Sequence, residues 1–274
     1  MTSARRTLHR GAAALLALGF GFLPLDRVGA ELSSAYIKDP KTGCQLWNPE
    51  PFEVSDPRVR ATGVPGALGS GSWRTPTTFS WTGACKDGFA EGKGVVRWFD
   101  RNDPIGYTEG EFRKGMLFGR AVTVYTDGRR AEGEYDAGKL NGRAILTFPN
   151  GNRFDGQFRD NRPNGKGKSV DAEGNRYEGE FQLGRRDGNG TLLNADGSRY
   201  DGHWSEGMRD GHGVYIWADG RRYDGDWDHD RPDGEGTYWN LAGQQFSGVW
   251  EDGCLETDDA YVAVFRSMDS CGFE

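Results

Sequence analysis

Two of the three histidines in the second half of the chain stand beside carboxylates, and an imidazole next to a carboxylate can serve as general base or metal ligand. His203 follows Asp201 by two positions, and His229 lies between Asp228 and Asp230. His212 sits inside a Gly-x-Gly. A structural or catalytic metal needs three or four ligands at characteristic spacings, and these histidines do not supply them. Each has a positional explanation instead. His203 fills a slot that holds Glu or Gln in neighbouring segments, His212 a variable place, and His229 a loop. A second chemistry is anion capture. Arg153, Arg176, Arg199 and Arg222 recur in one register and could form a strip that binds phosphate or carboxylate. Acids two positions further on (Asp155, Glu178, Asp201, Asp224) would compensate that strip. The glycines form no phosphate loop, because they are periodic and join strands, whereas a phosphate cradle precedes a helix. The expectation is no catalytic residue, no metal and no cofactor.

The element that must position all of these is a short repeat. Gly110, Gly133, Gly156, Gly179, Gly202, Gly225 and Gly248 recur at one constant interval, and Gly83 precedes them at a slightly longer one. Each sits in one phrase, as in Tyr177-Glu-Gly-Glu-Phe181, Tyr200-Asp-Gly-His-Trp204 and Tyr223-Asp-Gly-Asp-Trp227. A strict period of this length means one small unit stacked many times.

Alternation assigns the faces of that unit. Side chains point to opposite sides along a strand, so Tyr200, Gly202 and Trp204 share one face and Arg199, Asp201 and His203 the other. A loop over 205–210 leads to a second strand through Val214–Trp217, and Asp219-Gly220 signals a tight turn into the next unit. Each repeat is then a hairpin. The fold class expected is all-β: an elongated single-layer antiparallel meander with short caps tied by disulfides. Gly128, Gly151, Gly174, Gly197, Gly220 and Gly243 close the turns between repeats. A second loop column, Gly115, Gly138, Asn161, Gly184, Gly207, Asp230 and Gly253, admits only residues that tolerate the left-handed conformation. The mid-strand glycines face the aromatic side and leave room for a ring to lie across the backbone.

The 274-residue chain holds 34 basic and 41 acidic residues, a net charge of −7. Arg5, Arg6 and Arg10, an apolar run over 11–23 and Val28-Gly29-Ala30 read as a secretory leader over 1–30, cleaved after Ala30. Without that basic leader the remainder is more acidic still, which argues against a nucleic-acid partner. The location expected is the periplasm or the exterior. Export makes disulfides the expected state of Cys44, Cys85, Cys254 and Cys271. Strands roughly 4.8 Å apart put the first and last repeats on the order of 70 Å from each other. A disulfide spans only about 4–7 Å between Cα atoms, so the pairs are Cys44–Cys85 and Cys254–Cys271. Cys85 occupies an aromatic slot and is expected to point inward. The organisation read from the chain is a leader (1–30), an N-terminal cap and linker (31–76), the repeat sheet (77–255) and a C-terminal cap (256–274). The last is a short element, helix or strand, folded on the final hairpin, with a docking peptide as the alternative.

Residues 200–213 carry Tyr200, Gly202, Trp204, Gly207, Gly211 and Gly213, and this spacing resembles the MORN repeat (membrane occupation and recognition nexus). The resemblance covers roughly 79–255. Thr108 and Ala131 replace the first aromatic, and Ala121 and Ala144 replace the last glycine, so the early repeats depart from the pattern. The head, Cys44-Gln-Leu-Trp-Asn-Pro49 with Phe79–Cys85, is similar to the start of exported bacterial MORN-repeat proteins. The resemblance implies an extended β module for protein association, membrane apposition or lipid binding. The segments outside the repeats are too short for an appended catalytic domain.

A single sheet offers little interior, so part of the ring-bearing face is expected to stay open as a binding surface. Its richest region is Tyr200, Trp204, Tyr223, Trp227, Phe246 and Trp250. The function read from the sequence is a non-enzymatic exported scaffold that uses this aromatic face to bind an unidentified envelope protein. Membrane lipid and cell-wall glycan are the alternative partners.

Overall fold

The computed structural model describes residues 36–47 and 76–272. The leader over 1–30 and most of the expected N-terminal cap lie outside them. Two short strands come first, β1 (Tyr36–Lys38) and β2 (Gln45–Trp47), then β3 (Thr78–Trp81) and β4 (Ala84–Lys86). The repeats follow as β5 (Phe89–Asp100), β6 (Asp103–Arg113), β7 (Met116–Tyr125), β8 (Arg130–Asp136), β9 (Lys139–Thr147), β10 (Arg153–Arg159) and β11 (Arg162–Val170). They continue through β12 (Arg176–Gln182), β13 (Arg185–Leu193), β14 (Arg199–Ser205), β15 (Met208–Ile216), β16 (Arg222–Asp228), β17 (Arg231–Trp239) and β18 (Gln245–Trp250). From β5 to β18 each strand pairs antiparallel with the next, and β1–β18 belong to one eighteen-stranded sheet. Each repeat is the expected hairpin. Turn glycines such as Gly151 and Gly220 hold φ of 92° and 97°. In the second loop column Asn161 and Asp230 adopt φ of 65° and 71°, the backbone demand that their side chains tolerate.

The register lines up the glycines. Gly156 faces Gly167, which faces Gly179, and the row runs on through Gly190, Gly202, Gly213, Gly225 and Gly236 to Gly248. Aromatic rings lie on this bare strip. A Cβ added at Gly190 would stand 2.2 Å from the Tyr177 hydroxyl, and one at Gly213 2.3 Å from that of Tyr200. Each ring therefore occupies the volume of the side chain missing from the next strand. Upstream the rule inverts. Where Thr108 and Ala131 supply no ring, Ala121 and Ala144 stand on the strip, and both are buried. The methyl group fills what the ring would have filled. We expect Ala131→Tyr alone to destabilise the protein by about 1–3 kcal/mol through overpacking. Adding Ala144→Gly is expected to recover most of that loss, a coupling of at least ~1 kcal/mol in a double-mutant cycle by chemical denaturation. Additive effects would show that ring and glycine do not share the space.

The rings form an unbroken edge-to-face chain. Tyr177 meets Trp204 at 5.4 Å, Trp204 meets Tyr200 at 5.1 Å, Tyr200 meets Trp227 at 5.4 Å, and Tyr223 bridges Trp227 and Trp250 at 5.2 and 5.3 Å. Such pairs contribute about 0.5–1.5 kcal/mol beyond the area they bury. Their polar tips are satisfied within the sheet. Trp204 and Trp227 donate Nε1–H to the Gly190 and Gly213 carbonyls at 3.1 and 3.0 Å, and Tyr200 donates its hydroxyl hydrogen to the His203 carbonyl at 2.9 Å. Burial pushes the Tyr177, Tyr200 and Tyr223 phenols well above their ordinary range. This corrects the expected open aromatic face. Tyr200, Trp204, Tyr223, Trp227 and Trp250 are at most 3% exposed, and only Phe246 is half-buried. The rings sink because the glycine strip lets them lie flat on the backbone and tile one another.

Both ends are closed as the cysteine spacing requires, by Cys44–Cys85 and Cys254–Cys271. The first pair has a buried Cys44 and an exposed Cys85, so Cys85 does not point inward. It lies on the short outer strand β4, where no neighbouring repeat covers it. Asp39 anchors this cap. It is buried and accepts hydrogen bonds from the Lys41 and Trp81 N–H groups and the Thr42 hydroxyl at 2.8, 3.1 and 2.8 Å. Burial raises its carboxyl, and these bonds together outweigh burial and hold it below the usual range. At the other end β19 (Cys254–Glu256) pairs with β20 (Tyr261–Ala263), and a single 3-10 turn spans Asp269–Cys271. Of the forms open for the tail, the structure takes this strand pair, with Leu255, Val262 and Val264 buried.

Candidate functional site

With the rings closed off, the accessible concavity lies on the other face. Residues of the first strand alternate outward as Arg, acid and acid or amide, and the second strand opposes them. Glu134 pairs with Arg120, Gln157 with Arg143 and Glu180 with Lys166. The strands shift register between Gly156 and Phe158 and again between Gly179 and Phe181. Such bulges bend a strand locally. A groove of about 1200 Å³ runs along the charged face from Glu134 to Gly202, lined by Arg143, Asp155, Lys166, Lys168, Glu178 and Glu180. A second, of about 790 Å³, runs from Lys93 to Ile145 and shares Glu134 and Arg143 with the first. Together they form one trough across the early and middle repeats.

The trough has a polarity. Within the trough the variable place of Gly-x-Gly reads Lys93, Arg120, Arg143, Lys166 and Asn189, with Asp201 at its far end, and beyond the trough the same column continues as His212 and Glu235. The column passes from basic to acidic along the array. Its ions are wet and loosely paired. Lys168 reaches Glu178 at 2.8 Å with both side chains about two-thirds exposed, and Arg143 reaches Asp155 at 3.2 Å. Pairs of this kind contribute roughly 0–1 kcal/mol each and are easily exchanged for a partner's charges.

The expected anion strip is largely self-compensated. Arg153, Arg199 and Arg222 pair with Asp155, Asp201 and Asp224. Glu178, the acid in register with Arg176, is taken by Lys168. The histidines also fall apart as a set. His203 bonds to the Asp210 carbonyl, and His212 lies between Asp224 and Asp226. His229 pairs with Asp228, whose hydrogen bond and charge raise the imidazole above its ordinary range. Asp210, Asp228 and His229 bring one ligand atom each within 4.8 Å of one another, the nearest approach to a metal cluster among the described residues. All three are partly or fully exposed.

Two arginines fall outside the patterns drawn from the sequence. Position 2 of each second strand faces the aromatic layer and reads Ala90, Leu117, Leu140, Pro163, Arg186, Arg209, Pro232, Leu255. The repeat period is the signal that could have found them. Arg209 stacks on Trp227, with the guanidinium carbon 4.3 Å from the ring centre, and on Phe265 at 4.7 Å. Phe265 in turn stacks on Trp217 at 5.0 Å, so the C-terminal tail reaches back over β15 and β16.

The family profile described as "MORN repeat" matches residues 83–102, 109–129, 132–153, 154–176, 177–199, 200–221 and 223–240, more than half of the chain. None of the curated proteins matches the sequence. Among solved structures, the chain is similar to the SAS-4 (dCPAP) TCP domain in complex with a proline-rich motif of Ana2 (dSTIL) of Drosophila melanogaster. That similarity has 11% identity, covers 63% of this chain and 90% of that chain, and has a TM-score of 0.36. It is also similar to the wild-type TCP10 domain of Danio rerio CPAP in complex with a peptide of Danio rerio STIL, at 14% identity, with 63% and 100% covered and a TM-score of 0.24.

Proposed function

This chain belongs to the MORN-repeat family, and from that premise we propose that it is an exported, non-enzymatic scaffold whose charged trough receives a protein partner. MORN repeats indicate a repeat scaffold, typically for protein or membrane interaction. The observation that carries the finer reading is the polarity of the trough. A partner segment with acidic side chains meets Lys93, Arg120, Arg143 and Lys166, and its more basic end falls toward Asp201. Repeats recur at two strands each, roughly 10 Å apart, so one extended chain can touch several of them. The acids that alternate with these bases disfavour an anionic lipid surface. The two disulfides fit an oxidising compartment and support export to the periplasm or beyond.

A photo-crosslinking residue at Gln157, combined with Lys166→Glu and Lys168→Glu, tests this reading in native envelopes. We expect Gln157 to crosslink to one protein and the double charge reversal to reduce the yield at least tenfold. Co-sedimentation of the wild type with anionic vesicles, unaffected by the reversal, together with no protein adduct, would move the function to membrane apposition.

A further inference from the structure

We propose that Arg186 is the floor of a carboxylate-binding site, filled by an acidic group that the repeat itself does not provide. Arg186 lies on the face of the sheet opposite the trough, so the site stands or falls separately from it.

Two consecutive repeats differ at this place. Arg186 and Arg209 hold the same position, one repeat apart, in a column otherwise made of Ala, Leu and Pro. Both guanidinium groups lie against rings of the aromatic chain. That of Arg186 is 4.9 Å from the Tyr177 ring centre and 4.8 Å from that of Trp204. Around Arg209 the repeat completes an ion pair. Asp230 occupies the loop-glycine slot, and its Oδ1 accepts both the Arg209 Nε–H at 2.9 Å and the Arg209 backbone N–H at 3.0 Å. Nη2 of Arg209 also donates to the Asp230 carbonyl at 2.9 Å. Around Arg186 the same slot is Gly207, whose N–H donates to the Arg186 carbonyl at 2.8 Å but which has no side chain to offer. Arg186 is only 7% exposed, and its Nε is buried with no hydrogen-bond partner.

An arginine in this state is costly. Burial pulls the guanidinium down to about 10 from its ordinary value, and the nearby Tyr177, Asp171 and Asp230, none of them bonded to it, offset this only in part. A buried cation without a bonded counter-charge destabilises a fold, whereas leucine of similar volume would not. Leu117 and Leu140 show that leucine fits the column. The geometry of the missing group is given by Asp230: a carboxylate presented from the loop side, where nearly half of the Asp230 side chain remains in solvent. A planar carboxylate matches the guanidinium edge, and the flanking rings hold that edge in place.

The test follows the Arg186 Nε–H resonance in the full-length 15N-labelled protein during titration with N-acetyl-glutamate amide. N-acetyl-glutamine amide and inorganic phosphate serve as controls. We expect a saturable shift with the glutamate compound only. Gly207→Asp, which installs the carboxylate as in the next repeat, is expected to weaken that binding at least tenfold. Arg186→Leu is expected to abolish binding and to raise Tm by a few degrees, a stability measurement that remains informative even where Gly207→Asp folds poorly. A wild-type resonance that ignores the glutamate compound would overturn the proposal. So would an equal response to phosphate, or an Arg186→Leu protein that melts below the wild type.

Discussion

Trp204→Ala is expected to cost about 3–5 kcal/mol of stability, the range for deleting a large buried aromatic. The ring is 2% exposed, meets Tyr177 and Tyr200 edge to face, and donates a hydrogen bond to the Gly190 carbonyl. The loss also leaves the buried Arg186 guanidinium with one ring fewer. In a repeat array the damage stays near its source, so backbone exchange should rise over β12–β15 and much less in β5–β8. Denaturant melting with hydrogen exchange by mass spectrometry measures both. A loss no larger than about 0.5 kcal/mol, the size typical of surface substitutions, would mean that Trp204 lies on an open face, as the sequence alone suggested.

Gly213→Ala is expected to cost about 3 kcal/mol by overpacking, although it adds a single methyl group to a strand. The new Cβ would stand within 2.3–2.6 Å of the Tyr200 hydroxyl oxygen and two of its ring carbons, and that ring is fully buried, bonded at its hydroxyl and packed against Trp204 and Trp227. It cannot swing away without breaking the chain of rings. Gly220→Ala is the control. Gly220 holds φ of 97° in a turn, and its Cβ would meet nothing within 4 Å. The cost there is conformational and about 1–2 kcal/mol. Equal losses at both positions, measured by equilibrium denaturation, would remove the steric role assigned to the glycine strip.

Much of this fold was readable from the chain. The period marked the repeats, alternation separated rings from ions, and the distance between the ends of the array selected Cys44–Cys85 and Cys254–Cys271. The left-handed column was legible because Asn161 and Asp230 replace glycine where only a backbone constraint explains the choice. The burial of Trp204 and its neighbours was not legible. Alternation tells which side a residue faces, but whether that side is covered depends on how far a ring leans over the adjacent strand. The pairing of Ala131 with Ala144 carried that information, yet their offset has meaning only once Tyr177 is seen lying over Gly190 at the same offset. The trough was hidden for a related reason. It runs beside register shifts such as the one between Gly179 and Phe181, which no residue type announces. Arg186 was hidden because a cation on the ring-bearing face runs against the alternation that separates rings from ions.

Hydroxyl-radical footprinting of the native protein, read residue by residue by mass spectrometry, tests most directly whether the rings are interior and the charged face is the working surface. Tyr200, Trp204, Tyr223, Trp227 and Trp250 should stay protected, while Tyr261, at 52% exposure, and Met268, at 42%, are oxidised rapidly. Oxidation of Trp204 or Trp227 at the rate of Tyr261 would contradict the buried-ring arrangement and return the binding surface to the aromatic side.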